Sequence, residues 1–272
     1  MVAAANMVLA AVLVVSSLAT GSGAGKIPAD VVDEDTPLIH MLRPRVSSGG
    51  HLGRRSNLWC DSWRFAVETN SARNWNKIPK QCERYVGNYM MGGHYRCDSR
   101  AVIDQAVAYA EGLKLTGSGR EVWVFDVDET TLSNLPYYAK HGFGAEQYNR
   151  TAFGEYAQAA SAPPLPETLR LYKRLQSLGI KAVILTGRRE DKREATAKNL
   201  ERAGYHGYEK LIVKPQDLSG VSSLEFKAGE RKKLEDAGYI IVGNIGDQWT
   251  DILGAPEGAR TFKLPDPMYY VD

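Results

Sequence analysis

Cysteine, net charge and long apolar runs are all scarce in this chain. Three cysteines in 272 residues are too few for a disulfide-framework scaffold, and none has the company of a zinc site. The 34 basic residues nearly cancel the 32 acidic ones, leaving +2, which argues against a dedicated nucleic-acid binder with its clear basic excess. With 26 glycines and 12 prolines, collagen-like and mucin-like compositions fail. No helical repeat period is visible. What is present is ordinary for a globular protein: a hydrophobic fraction of 43% excludes wholesale disorder, and the chain is long enough to bury a core without staples.

One segment stands apart. No charge occurs from Val2 to Gly25, and Met7 to Ala19 is apolar. The run is short of the roughly 20 residues a membrane span needs and is followed by small residues, Ala19 to Ala24. That pattern predicts a secretory signal peptide over residues 1–25, with an N-terminal anchor as the alternative; no other membrane segment is visible. Residues 26–57 read as a loosely ordered lead-in. In a secretory compartment cysteines pair, so Cys60, Cys82 and Cys97 should give one bridge and one free thiol. Cys60–Cys82 is the preferred pair, although the sequence leaves all three pairings open. The sequon Asn149-Arg150-Thr151 makes Asn149 a glycosylation candidate.

From Arg120 onward, strands and helices alternate. Val122–Phe125 is a continuous apolar run of the kind found in central parallel strands. Helices are expected over 98–113 (capped by Asp98 or Ser99), 167–177, 191–202 and 226–237, and strands over 180–185, 210–213, 239–242 and 260–264. This alternation implies an α/β fold with a doubly wound, Rossmann-like parallel sheet, in which ligands sit beyond the carboxyl ends of the strands. Residues 58–272 form the domain, and 134–166 read as a lid or small cap.

The strand ends carry the chemistry. Asp126-Val127-Asp128-Glu129-Thr130 follows the first strand, Thr186-Gly187-Arg188 the second, and Gly246-Asp247-Gln248-Trp249-Thr250-Asp251 the fourth, while Lys227 is placed at the start of a helix. Asp126 can stay ionised and attack phosphorus, and Asp128 can hold the proton given to a leaving alcohol and later taken from water. Developing phosphoryl charge calls for a hard cation such as Mg²⁺ on Asp126 and Asp247, with Asp251 one turn further on. Thr186 and Gly187 would meet phosphate oxygens, and Lys227 would add a compact positive charge. Arg188 and Arg189 either help bind anions or stand exposed at a helix start. His141 and the tyrosines Tyr137, Tyr138, Tyr148 and Tyr156 are placed on the cap as lining or as packing.

These residues resemble the haloacid dehalogenase (HAD) superfamily: motif one at Asp126–Thr130, motif two at Thr186, motif three at Lys227 and motif four at Asp247 and Asp251. The stretches Trp123–Tyr138, Leu185–Arg188, Gly243–Asp251 and Phe262–Tyr270 are similar to plant secreted acid phosphatases and vegetative storage proteins, from about Trp59 onward. The resemblance implies Mg²⁺-dependent hydrolysis of small phosphate monoesters through an aspartyl phosphate, with the Asp128 backbone carbonyl also on the metal. No nucleic acid and no membrane, after signal cleavage, is expected as a partner, a homodimer is left open, and the destination is the cell wall, extracellular space or vacuole. Two rivals follow. One is a storage protein with low residual activity, against which the intact Asp126 and Asp128 count. The other is a receiver-type signalling module, which lacks a partner two residues after its phosphorylated aspartate.

Overall fold

The computed structural model describes residues 58–272; the expected leader (1–25) and lead-in (26–57) lie outside the described residues. Strand β1 (Glu121–Phe125) is buried at all five positions, as a strand covered on both faces must be. Its side chains alternate. Trp123 and Phe125 join Ile103, Leu171 and Tyr172 on one face, and Val122 and Val124 join Phe226 and Leu234 on the other. Strands β2 (Lys181–Arg189), β3 (Lys210–Lys214), β4 (Ile240–Gly246) and β5 (Thr261–Lys263) complete a sheet of order β3-β2-β1-β4-β5, parallel throughout. The chain steps outward from β1 to β2 and β3, then returns to β4 on the other side. This reversal opens a crevice at the strand ends.

Helices α1 (Leu58–Glu68), α2 (Glu83–Met91) and α3 (Gly93–Glu111) precede the sheet. Between β1 and β2 run α4 (Leu135–Tyr138), α5 (Arg150–Gln158) and α6 (Pro166–Ser177). Helices α7 (Arg193–Arg202), α8 (Ser223–Asp236) and α9 (Trp249–Ile252) follow β2, β3 and β4. Local chemistry explains their bounds. Pro166 stands at the start of α6, where its missing N–H costs nothing, and Gly179 (φ +82°) takes the left-handed conformation just past its end. Ser222 and Glu225 form a reciprocal capping box on α8.

Four expectations are corrected. Helix α3 begins at Gly93, five residues before the expected cap. Asp98 is not its cap but accepts from Arg64 Nη1 (3.3 Å) and Tyr89 Oη (2.8 Å), so its carboxylate serves a tertiary contact. Strands β2 and β4 run on to Arg189 and Gly246, because polar residues there still pair with buried neighbours. Helix α8 begins at Ser223, three residues before the expected start, so Lys227 lies in its second turn rather than at its start. Residues 191–202 split into a 3₁₀ turn, Glu190–Lys192, and α7.

A second apolar cluster joins the N-terminal helices to the segment after β1 and to the tail: Cys60, Cys82, Val86, Tyr138, Leu165 and Met268 are all buried in it. A disulfide links Cys60 to Cys82, and Cys97 is free and exposed. Among the described residues no helix is long and apolar enough to cross a membrane.

Trp123 sets one close tolerance in the sheet. Its register partner on β4 is Gly243, and a Cβ built there would lie 2.4 Å from the indole. Gly243→Ala is therefore expected to destabilise the protein by about 1–3 kcal/mol through overpacking, read as a lowered denaturant midpoint.

Candidate active site

Beyond β1 the ladder runs one residue further, Asp126 N donating to Ile245 O (3.1 Å). The chain then closes a tight turn. The Val127 carbonyl accepts from the N–H groups of Thr130, Thr131 and Leu132, and Glu129 takes φ +51°. Val127 points into the core, while Asp126 and Asp128 line a cavity of about 820 Å³ at the strand ends.

Three more elements deliver side chains to this cavity. The α8 capping box places Lys227, 5% exposed, where its ammonium donates to Asp126 and to Asp251 (2.5 Å). The β4 end brings Asp247 and α9 brings Asp251, whose Oδ2 accepts from Gln248 N (2.9 Å). Gly246 permits this, since a Cβ there would fall 2.3 Å from the Asp251 carboxylate. Fully buried Arg231 ties down the following loop through the carbonyls of Asp251 (2.7 Å) and Gly254 (2.7 Å).

Carboxylate oxygens of Asp126, Asp247 and Asp251 lie within 4.8 Å of one another, and all three residues are buried. Three carboxylates against a single ammonium leave two negative charges unbalanced in a buried place. An all-oxygen donor set of that charge fits a hard divalent cation.

Without such an ion, burial pushes the Asp126 carboxyl up to about 7, with Asp251 and Asp128 adding to the rise and Lys227 opposing it. Burial and the Asp251 charge hold Asp247 well above the usual carboxylate range. Asp128 is different: burial would raise it, but Arg188 outweighs burial and holds it low, with help from Asn134. The Arg188 fork grips both Asp128 oxygens (Nε 3.1 and 3.2 Å, Nη2 2.7 Å), and Asn134 Nδ2 donates at 2.8 Å. The protonation order expected from the sequence is thus inverted in the ion-free site.

Other expected residues fall in mixed places. Gly187 lines the cavity. Thr186 is fully buried behind it, its hydroxyl accepting from Arg188 N (3.1 Å). Arg188 is neither exposed nor at a helix start, being 6% exposed at the end of β2. Tyr138 and Tyr148 line the cavity; Tyr137 and Tyr156 pack beside each other. His141 pairs with Glu146 (3.2 Å) away from the cavity. Asn149 is exposed and caps α5, its Oδ1 accepting from the Thr151 and Ala152 amides.

Sequence reasoning missed Gln248. Its Nε2 donates to Asp247 Oδ2 (2.8 Å), Asp266 Oδ2 (3.2 Å) and Tyr269 O (3.3 Å), and its Oε1 accepts from Val271 N (3.0 Å). Glu129 was also passed over. It is fully buried, bonded to Asn134 N and Ser133 Oγ, and burial followed by the Asp247 charge pushes it up to about 8.

The model of the HAD superfamily, subfamily IIIB (acid phosphatase), matches residues 48–272. The chain belongs to this subfamily. Among relatives, it is 44% identical over 229 residues to "Acid phosphatase 1" of Solanum lycopersicum, covering 84% of this chain and 90% of that protein. It is 42% identical over 214 residues to "Vegetative storage protein 1" of Arabidopsis thaliana, covering 78% of each. The class C acid phosphatase from Bacillus anthracis has the same fold, with a TM-score of 0.59 at 21% identity over 70% of this chain and 86% of that one. For a subfamily IIIB member, the aspartate cluster at the ends of β1 and β4 stands where the fold opens.

Two outcomes are expected. Asp126 and Glu129 carry folded values near 7 and 8 against ordinary ones of 3.8 and 4.5. Their contribution to stability is complete below the ordinary values and is lost as pH rises through the folded ones. Protein in chelator should therefore melt lower at pH 8 than at pH 5, and a divalent cation should restore it at pH 8; thermal melts with and without chelator check this. Gln248→Leu should weaken divalent-metal affinity by about 10–100-fold, the usual effect of removing a partner that orients a ligand, read by calorimetry.

Proposed function

We propose that this chain is an acid phosphatase that hydrolyses small phosphate monoesters through a phosphoryl ester on Asp126, with Mg²⁺ as its metal. The observation that carries this reading is the buried Lys227 ammonium held between Asp126 and Asp251 at the floor of the cavity, with Asp128 gripped beside it. Asp126, Asp247 and Asp251 would hold the ion, together with the Asp128 carbonyl. Bound there, Mg²⁺ supplies charge neutralisation for the phosphoryl oxygens and keeps Asp126 ionised.

The chain's own groups then do the following. Lys227 and the Gly187 wall receive the phosphoryl group. Asp126 Oδ attacks phosphorus, the bond to the leaving oxygen breaks, and its electron pair leaves with the alcohol. Asp128 supplies the proton that this oxygen takes. An arriving phosphate competes for Arg188 and repels the Asp128 charge, and both effects raise the Asp128 carboxyl towards protonation. In the second half a water attacks phosphorus, Asp128 takes the water's proton, and Asp126 is released with inorganic phosphate.

The storage-protein reading draws on the Arabidopsis relative's name. It predicts the same fold with very low turnover, whereas every group needed for chemistry is present here. Entry to the secretory route, cleavage within residues 1–25 and a glycan on Asn149 belong to the same proposal. The Cys60–Cys82 bridge supports them, since such bonds persist in oxidising compartments.

Hydrolysis of an aryl phosphate is expected to fall by about 10³-fold or more in Asp126→Asn, the scale of losing a nucleophile, and to stop in chelator. Retained turnover in that variant rejects the covalent route. Arg188→Gln should move the alkaline limb of the kcat/KM–pH profile up by about 1–3 pH units, because it removes the charge that holds low the Asp128 carboxyl, which must be protonated to serve the leaving oxygen; steady-state rates across pH measure it.

A further inference from the structure

The rim of the cavity breaks three rules of charge placement together. Arg189 and Lys214 are register partners on adjacent strands β2 and β3, where like charges opposite one another destabilise. Lys214 is only 9% exposed, yet its ammonium meets the Val221 carbonyl and no carboxylate; buried ammonium groups are ordinarily paired. Arg150 opens α5, at the end of a helix where the dipole disfavours a cation.

All three line the same cavity, and among the described residues none of them makes an ion pair. Burial pulls the Lys214 ammonium below its ordinary range, and the charges of Arg189 and Arg150 push it the same way. Nearby acids offset this only in part. Glu225 faces Lys214 but its Oε2 is taken by the Ser222 cap. Asp191 is held by Lys192 at 2.7 Å. The trio comes from β2, β3 and α5, whereas the carboxylates and Lys227 come from β1, β4, α8 and α9. Places where local rules fail together, on one concave wall, are where a ligand supplies the missing partner.

We infer that Arg150, Arg189 and Lys214 form a second anion subsite, and that the preferred substrates are phosphate esters whose leaving group carries a second phosphate. The inference rests on the phosphomonoesterase reading above. Two guanidinium forks and an ammonium match a phosphate dianion better than a neutral alcohol.

The test compares hexane-1,6-diol bisphosphate with hexyl phosphate, and the propane-1,3-diol pair likewise. With two equivalent phosphates, statistics alone give the bisphosphate about a twofold advantage in kcat/KM; one charge-assisted contact adds about tenfold more. The wild type should show that larger ratio at one chain length or both. It should shrink towards two in the Arg150→Gln/Arg189→Gln variant, and in about 1 M salt, where the screening length is about 3 Å. A wild-type ratio near two at both lengths overturns the inference, as does a ratio untouched by the double variant. Wild-type ratios and their salt dependence decide the matter even if the variant does not fold. Calorimetric binding of the same esters to Asp126→Asn separates the two readings. Tighter bisphosphate binding without turnover in the wild type keeps the subsite and rejects hydrolysis; turnover without any bisphosphate preference does the reverse.

Discussion

Three acidic side chains crowded around a single buried ammonium are the constraint on which the rest of the structure turns. Burying unbalanced charge is costly, and much of the surrounding chain exists to hold it in place. Gly246 gives up its side chain so that Asp251 fits. Arg231 is spent entirely on carbonyls of α9 and the loop after it, and the α8 cap fixes the turn that carries Lys227. The cluster is left short of positive charge, a donor set that could hold a divalent cation.

The two aspartates of the first motif differ because their neighbours differ. Asp126 shares a buried ammonium with Asp251, so its charge is poorly compensated. Asp128, two residues on, is met by a planar fork from β2 and an amide from the chain just after the turn. Identical side chains thus acquire opposite tendencies from a register set by a parallel sheet. In the proposed mechanism, ligand binding redistributes these partners and lets one carboxyl serve both as donor and as acceptor of a proton.

The sheet was legible because buried parallel strands are uninterrupted apolar runs and their helices end in glycine; the stops at Gly179, Gly204 and Gly238 all take left-handed backbone. Asp126, Asp128, Lys227, Asp247 and Asp251 were legible because each follows its strand or lies early in a helix. Arg188, Gln248 and Asn134 were harder to read. Their roles depend on partners 60, 18 and 6 residues away, and spacing along the chain says nothing about such pairs. Asp98 shows the converse error: a residue type that favours helix caps was drawn into a contact with Arg64 and Tyr89 that local propensity cannot foresee. Thr186 was placed at the right strand end, but only the turn geometry reveals that its hydroxyl is engaged with the backbone.

The Gln248 amide has a practical corollary for handling the molecule. Because it bonds at once to Asp247, to Asp266 and to the backbone of Tyr269 and Val271, the last stretch of chain is a wall of the reaction chamber rather than a trailing end. A purification handle fused after Asp272, or trimming by a carboxypeptidase, would disturb the chamber directly. Immobilisation chemistry is better directed at the exposed Cys97 thiol on α3.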